Sequence, residues 1–334
     1  MTPAGAALPA WETDKAQVCA RIAANRGLLK ILLKTKDDPF FLPRWVRHHA
    51  RIAGLRNLII FDNMSTDPAV LELYDKSADD LQVVRFEGMH NRVHDTTLFP
   101  ELYAALAKSC EYFIFLDTDE YLVLLDEQGW HDSFSLLRFI ERNPDVPVFP
   151  GTWLINVAGS DSQIMVGTAP GPLVDGLRWG KPVIRASAAL SGFINHNGQL
   201  DKALYGPRIP TNLFVLHLVQ LSAEQRIRSN VLKLIARGFI SEGESVEEIA
   251  RRDPAEATDQ NVRLYLSEIR RLVAQGGDRR PGGAPLAAGC IELQPEGGIG
   301  YFGEAERTML SGFLVNPDDA AAQVLGIAGR GAAA

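Results

Sequence analysis

The sequence predicts an α/β protein with a mostly parallel central sheet flanked by helices, continued by a helical C-terminal extension. Three observations predict it. Short apolar runs of strand length alternate with stretches whose apolar residues recur every three or four positions. The connections between them are short, as in sheets wound by strand-helix-strand crossovers. Three of the apolar runs end in acidic residues, Asp37, Asp62 and Asp117, which such a sheet would gather at one edge.

The elements follow in order. Residues 1–27 read as a tail leading into a helix. Leu28-Leu29-Lys30-Ile31-Leu32-Leu33 is a first strand with a polar end, Lys34 to Asp38. Asp38-Pro39 is a helix start, an N-cap acid followed by proline at the first helical position. Phe41, Trp45, His49 and Ile52 then recur at helical spacing, and Gly54 is a stop. Leu58-Ile59-Ile60-Phe61 is a second strand ending in Asp62-Asn63. Asp67-Pro68 repeats the helix start, with Val70, Leu71 and Tyr74 on the helix that follows. Leu81 to Phe86 is a third strand. Residues 97–109 are a helix with Leu98, Leu102, Ala105 and Leu106 as its stripe. Tyr112 to Leu116 is a fourth strand, apolar throughout, as in strands buried on both faces.

The second half is less periodic. Val146 to Ile155 reads as strand and loop, and residues 156–176 as a long loop rich in Gly, Ser, Asp and Pro. Trp179 to Ile184 leads into a strand, Asn195-His196-Asn197-Gly198 is a turn, and Leu213 to Leu218 is a strand carrying His217. Ser222-Ala223-Glu224-Gln225 is a capping box whose helix ends near Arg237, before Gly238. Helices are expected near 245–251 and 259–274, a loop over 275–300, and a frayed tail from Pro317. The expected organisation is a tail and helix (1–27), the sheet domain (28–240), a helical and loop-rich extension (241–316) and the tail (317–334).

With 46% hydrophobic and 22% charged residues, the chain has the makeup of a globular protein in water. A formal charge of -7 argues against bulk nucleic-acid binding, which needs a basic face. Cys19, Cys110 and Cys290 are far apart, odd in number and without zinc spacing. They point to reduced thiols in a cytoplasm. Neither a signal peptide nor a transmembrane run is expected. The helix at 224–237, with Arg226, Arg228, Lys233 and Arg237, offers either a solvated face or a peripheral contact with an anionic membrane.

The chemistry concentrates after the fourth strand, in Asp117-Thr118-Asp119-Glu120. If the backbone stays extended, Asp117 and Asp119 point to one side. Two carboxylates there suit Mg²⁺ or Mn²⁺, with positions left open for phosphate oxygens. No G-x-G-x-x-G follows a strand as a dinucleotide fold needs, G-x-S-x-G and H-E-x-x-H are missing, and the stretch Gly176 to Lys181 is one residue short of a P-loop. His90 and His94 are four apart and could meet a phosphate or an acceptor rather than a metal.

The run Lys36-Asp37-Asp38…Trp45…His49…Gly54…Ile60-Phe61-Asp62-Asn63-Met64-Ser65-Thr66-Asp67, followed by Asp117-Thr118-Asp119-Glu120-Tyr121, resembles the opening of bacterial family 2-like glycosyltransferases related to glycosyltransferase family 92. Those proteins read K-N-E, then an E-W-x-x-y-H helix, then y-D-N-x-S-x-D, then D-x-D-E-F. Gly180-Lys181-Pro182, His196 and the segment from His217 to Glu224 are similar to later blocks, so the resemblance covers roughly residues 28–240. The departure is Asp37-Asp38, where the family has Asn-Glu.

The resemblance implies a GT-A fold. It implies transfer of a hexose from a nucleoside-diphosphate sugar, UDP-linked, to a glycan or lipid-linked acceptor with inversion, in polysaccharide or glycoconjugate assembly. It implies that Asp37, Asp62 and Asn63 face the nucleoside. Asp119 would hold Mn²⁺ or Mg²⁺, Asp117 would reach the metal or the ribose, and His217 would be a further metal ligand or a diphosphate contact. Lys181 would pair with phosphate or acceptor. Inversion needs a carboxylate base, and Glu120, Asp161, Asp175 and Asp201 are the candidates, with Glu120 nearest the metal acids. Trp153 and Trp179 could stack on acceptor sugars. The rival readings are a non-catalytic nucleotide-sugar-binding protein and a sugar nucleotidyltransferase. The latter wants a glycine-rich loop after the first strand, and Lys34 to Arg44 contains no glycine.

Overall fold

The computed structural model describes residues 8–88, 90–276 and 285–327. The side chain of His90 lies outside the described part. Among the described residues, twelve strands join in one sheet. Its parallel centre consists of β1 (Gly27–Thr35), β2 (Leu58–Asp62), β3 (Gln82–Arg85) and β4 (Cys110–Leu116), ordered β4-β1-β2-β3. Preceding it is helix α1 (Trp11–Ala24), and its crossovers carry α2 (Leu42–Ala53), α3 (Pro68–Lys76) and α4 (Pro100–Ser109). The chain winds from β1 outward to β3, then returns to β4 on the other side of β1. The winding direction therefore reverses between β1 and β4, where open α/β sheets form a crevice beyond the strand ends.

The strands alternate apolar residues between two cores. Leu29, Ile31 and Leu33 of β1 and Tyr112, Ile114 and Leu116 of β4 pack on one face with Trp45 of α2 and Tyr74 of α3. Leu32, Phe113 and Phe115 pack on the other with Ile22 of α1 and Leu102 of α4. Burial on both faces is why these runs read as continuously apolar.

Antiparallel strands extend the parallel centre: β5 (Glu120–Asp126), β6 (Gly129–His131), β7 (Val148–Asn156), β8 (Gln163–Met165), β9 (Lys181–Arg185), β10 (Leu213–His217), β11 (Cys290–Leu293) and β12 (Ile299–Tyr301). Strand β9 joins β4 to β7. Strand β10 lies parallel to β7 and antiparallel to β5, setting His217 opposite Glu120. The remaining helices are α5 (Ser135–Glu141), α6 (Gly171–Trp179), α7 (Ala223–Ala236), α8 (Val246–Arg251), α9 (Gln260–Gln275), α10 (Glu304–Val315) and α11 (Pro317–Leu325). Helices α7, α8 and α9 share a small core of their own around Leu234, Ile249 and Leu266. Among the described residues no helix is long and apolar enough to cross a membrane.

Several local expectations change. Helix α2 starts at Leu42, because Asp38 accepts a hydrogen bond from the Phe41 amide (3.0 Å) and closes a turn instead of capping a helix at Pro39. Asp67 does cap α3, accepting from the amides of Ala69 and Val70. The loop expected over 156–176 contains β8 and the start of α6. The stretch 275–300 contributes β11 and the start of β12, paired to β8 and to each other, while residues 277–284 lie outside the described part. The frayed tail expected from Pro317 begins instead with α11, which buries Ala321 and Leu325 against the core; residues 328–334 lie outside the described part.

Candidate active site

The ends of β1, β2 and β4 meet, and their acidic residues turn out to do different jobs. Asp62 has no exposed surface. One carboxylate oxygen accepts from the Ser65 hydroxyl and the Tyr74 hydroxyl, and the other accepts from the Ser65 amide (2.9 Å) and pairs with Arg85 (3.3 Å). Such a group ties its own loop and has no oxygen left for a nucleoside. The expected contact from Asp62 is therefore corrected. The Asn63 side-chain nitrogen donates to the Gly88 carbonyl at 2.8 Å. Asp37, held at a positive φ of 46°, accepts from the amides of Thr66 (2.6 Å) and Asp67 (2.8 Å) through one oxygen. It stitches the β1 loop to the β2 loop and keeps its second oxygen.

The acids after β4 do not lie on an extended strand. The Glu120 amide donates to the Asp117 carbonyl (3.1 Å), so residues 117–119 form a turn between β4 and β5. Asp117 sits between two ammonium groups, paired with Lys34 through one oxygen and with Lys181 at 3.1 Å through the other. Burial works against its charge, but Lys181 and Lys34 outweigh that and hold the carboxyl well below the usual range. Each Asp117 oxygen thus carries an ammonium partner, while the side chain stays about a third exposed (34%). Lys181 has no exposed surface. It also donates to the Asn195 side-chain oxygen (2.7 Å) and pairs with Glu120 at 3.6 Å. Burial opposes its charge too, and Asp117 and Glu120 raise it above the ordinary lysine value.

Glu120, the expected base, is fully buried. One oxygen accepts from the Trp153 indole (2.8 Å), and the other accepts from the Asp117 amide (2.7 Å). Burial raises its carboxyl above the ordinary value, yet no oxygen faces outward. That geometry makes it a brace for the turn, and the assignment as base is corrected. Of the other candidate bases, Asp161 is exposed beside Arg44 (3.8 Å), Asp175 is exposed on α6, and Asp201 accepts from the Ala203 amide (2.9 Å).

Asp119 and His217 stand apart. Their Oδ2 and Nε2 atoms are 3.5 Å apart, both side chains keep some exposure, and His217 Nδ1 has no hydrogen-bond partner. The register is enforced by the Leu218 amide, which donates to the Asp119 carbonyl at 2.8 Å. Burial opposes charge on both, but each stabilises the other: His217 lowers the Asp119 carboxyl to about 2, and Asp119 raises His217. One carboxylate and one imidazole are a donor set that Mn²⁺ accepts. Among the described residues no three such side chains are grouped for a metal. Mg²⁺ and Mn²⁺ sites of one or two protein ligands completed by substrate phosphates are the common form of nucleotide-borne metal.

Two groups escaped the reading from sequence. Lys34 looks like a solvated strand end there, and nothing local shows that it faces Asp117. His49 falls in the α2 stripe with Trp45, but nothing local shows what either His48 or His49 meets. In the structure, His48 Nε2 lies 2.8 Å from the Leu122 carbonyl, and the Leu122 amide donates to His49 Nε2 at 3.2 Å. The two rings thus occupy both backbone groups of Leu122 and fix β5 beside the acidic turn. His94 is buried against Phe115 with both ring nitrogens unpartnered. Of the basic residues expected on the helix at 224–237, Arg226 pairs with Glu268 (2.8 Å) and Arg237 with Asp259 (2.7 Å), inside the helical unit. A cleft of about 590 Å³ between α6, α10 and α11, lined by residues such as Val174, Met309 and Phe313, shares no residue with the strand ends.

No protein-family model matches the chain, and no curated protein matches it. Among solved structures, it is similar to residues 1–349 of Staphylococcus aureus TarS in complex with UDP (14% identity, 48% of this chain and 47% of that one, TM-score 0.30). The chain thus spans about half of that fragment's length. It is also similar to the same fragment with UDP-GlcNAc (12%, 72% and 72%, 0.35). A third is the mannosyltransferase PcManGT from Pyrobaculum calidifontis with GDP-Man and Mn²⁺ (11%, 91% and 85%, 0.34). At scores this low the chemistry of the site rests on its own geometry.

Proposed function

We propose that the chain is a metal-dependent glycosyltransferase that moves a sugar from a nucleoside-diphosphate donor, UDP-linked, to a glycan or glycoconjugate acceptor. The observation that carries this reading is the Asp119–His217 pair at the reversal of the sheet, beside an aspartate neutralised by two lysines. Asp119 and His217 would hold Mn²⁺ or Mg²⁺, which supplies charge neutralisation to a diphosphate leaving group. Lys34 and Lys181 neutralise Asp117 at the same strand ends, which lessens the repulsion that a departing diphosphate would meet there. Asp117 orients both ammonium groups, and Glu120 braces the turn that carries Asp119. Asp37, with one free oxygen, is the acid at the nucleoside side. The order of motifs over roughly residues 28–240 supports the same assignment. In this reading the enzyme works in the cytoplasm, in polysaccharide or glycoconjugate assembly.

The test is a thermal-shift screen of UDP- and GDP-sugars with and without Mn²⁺. A ligand at a hundred times its Kd adds about 2.7 kcal/mol of stability, roughly 5 °C for a chain of this size. The rise should require Mn²⁺ and should vanish in Asp119→Asn, together with sugar transfer; His217→Ala should weaken the Mn²⁺ titration. An equal rise without metal, or in Asp119→Asn, would refute the role given to this pair.

A further inference from the structure

A row of rings leads away from the Asp119–His217 pair to the surface. The Trp153 ring lies 4.6 Å from that of His217, His196 lies 5.2 Å from Trp153, and Trp179 lies 6.2 Å from His196. Trp179, at the end of α6, is 47% exposed, high for so large an apolar side chain.

Its position is rigid. A Cβ on Gly180 would come within 1.9 Å of the Gly151 carbonyl oxygen, and one on Gly176 within 2.3 Å of the Trp153 carbonyl oxygen. Only glycine at these places lets α6 sit so close on β7. The end of the helix is then closed by the next loop. His196 Nδ1 donates to the Trp179 carbonyl (2.6 Å), and the Asn197 amide donates to the Gly180 carbonyl (2.9 Å). Burial and the nearby Lys181 lower His196 to about 4, so its ring is neutral at physiological pH. Arg178 packs its guanidinium 5.2 Å from the Trp179 ring centre.

We propose that this row is the acceptor subsite, that the acceptor is a carbohydrate, and that one of its sugar rings stacks on Trp179. The proposal rests on the glycosyltransferase reading and extends it to the second substrate. Sugar faces carry C–H groups and sugar edges carry hydroxyls. A fixed indole face flanked by a guanidinium offers apolar contact and hydrogen bonds in that arrangement, while the His196 ring, engaged by the Trp179 carbonyl and by the Asn195 side-chain nitrogen (3.1 Å), holds the indole in place. A membrane contact would want a cluster of apolar side chains, whereas the immediate neighbours of Trp179 in the row and chain are Arg178, Gly180 and His196.

The experiment titrates the full-length chain, with UDP and Mn²⁺ present, with maltotetraose, chitotetraose, mannotetraose and laminaritetraose by calorimetry. At least one should bind, Trp179→Ala should weaken it about tenfold or more, as for a central aromatic anchor, and Trp179→Phe should restore most of the affinity. UDP affinity, measured in parallel, separates the two readings. If UDP with Mn²⁺ fails to bind the wild type, the donor reading fails while the oligosaccharide result still judges the platform. Equal oligosaccharide binding by wild type and Trp179→Ala overturns the proposal. So does the absence of binding by all four probes, or a loss confined to sedimentation with vesicles of phosphatidylcholine and phosphatidylglycerol.

Discussion

Lys181→Met should be the costliest single change at the site short of breaking the core. The substitution keeps most of the aliphatic stem and deletes the charge, so it isolates the ion pairs from the packing. Lys181 and Glu120 are both fully buried and 3.6 Å apart, and Lys181 also meets Asp117 and Asn195. Removing one partner of a buried pair costs about 3–5 kcal/mol, because the other charge is left without compensation. Asp117 retains Lys34, so the loss falls mainly on Glu120. At about 2 °C per kcal/mol for a chain of this length, the melting temperature should drop by roughly 6–10 °C. Glu120→Gln removes the stranded charge, so the double variant should be more stable than the two single losses added together predict, by about 1 kcal/mol or more. Urea denaturation of the wild type, both single variants and the double variant measures the cycle. Additivity within about 0.5 kcal/mol, or a drop under about 2 °C in Lys181→Met, would falsify the claim that this lysine holds the acidic turn together.

Asp62→Asn should behave as a folding variant: with four hydrogen-bonding or charged partners on a buried carboxylate, about 2–4 kcal/mol is lost. Donor KM measured at a temperature where the variant is folded should move little, whereas a large KM change at full stability would return Asp62 to the nucleoside. Stability should also fall on mild acidification, followed by denaturant midpoints between pH 7 and pH 4. Burial lowers His48 to about 4 and His49 well below its ordinary value, so the unfolded chain takes up protons first. Their contribution is complete above about pH 6.5 and is lost as the pH falls through about 4; for His48 alone this amounts to roughly 3 kcal/mol. A flat profile over that range would mean that the two rings do not depend on being neutral to bind Leu122.

The parallel half of the fold was legible because its physics is local. An apolar run buried on both faces, an Asp-Pro helix start and a short crossover each leave a mark in the sequence, as at Asp67-Pro68 and Tyr112 to Leu116. The antiparallel half left weaker marks. Strand β8 has three residues and β12 three, too few for any period, and they exist because β11 is there to pair with β8 from more than a hundred positions away. Helix α6 was hidden among glycines whose purpose is not flexibility but contact, as Gly176 and Gly180 show against β7.

The site was legible in outline and misread in detail for one physical reason. An aspartate at a strand end looks the same whether its oxygens face amides, ammonium groups or open space. Asp62, Asp117 and Asp119 are such a series. What separates them is their partners, and only those of Asp62 lie partly within its own loop: Ser65 is three residues on and Tyr74 twelve. Asp117 owes its neutralisation to Lys34 and Lys181, which lie 83 residues before it and 64 after it. Asp119 meets His217 instead, at 3.5 Å. The two acids of the motif are thus told apart by partners distant in sequence, Lys34 and Lys181 for Asp117 and His217 for Asp119.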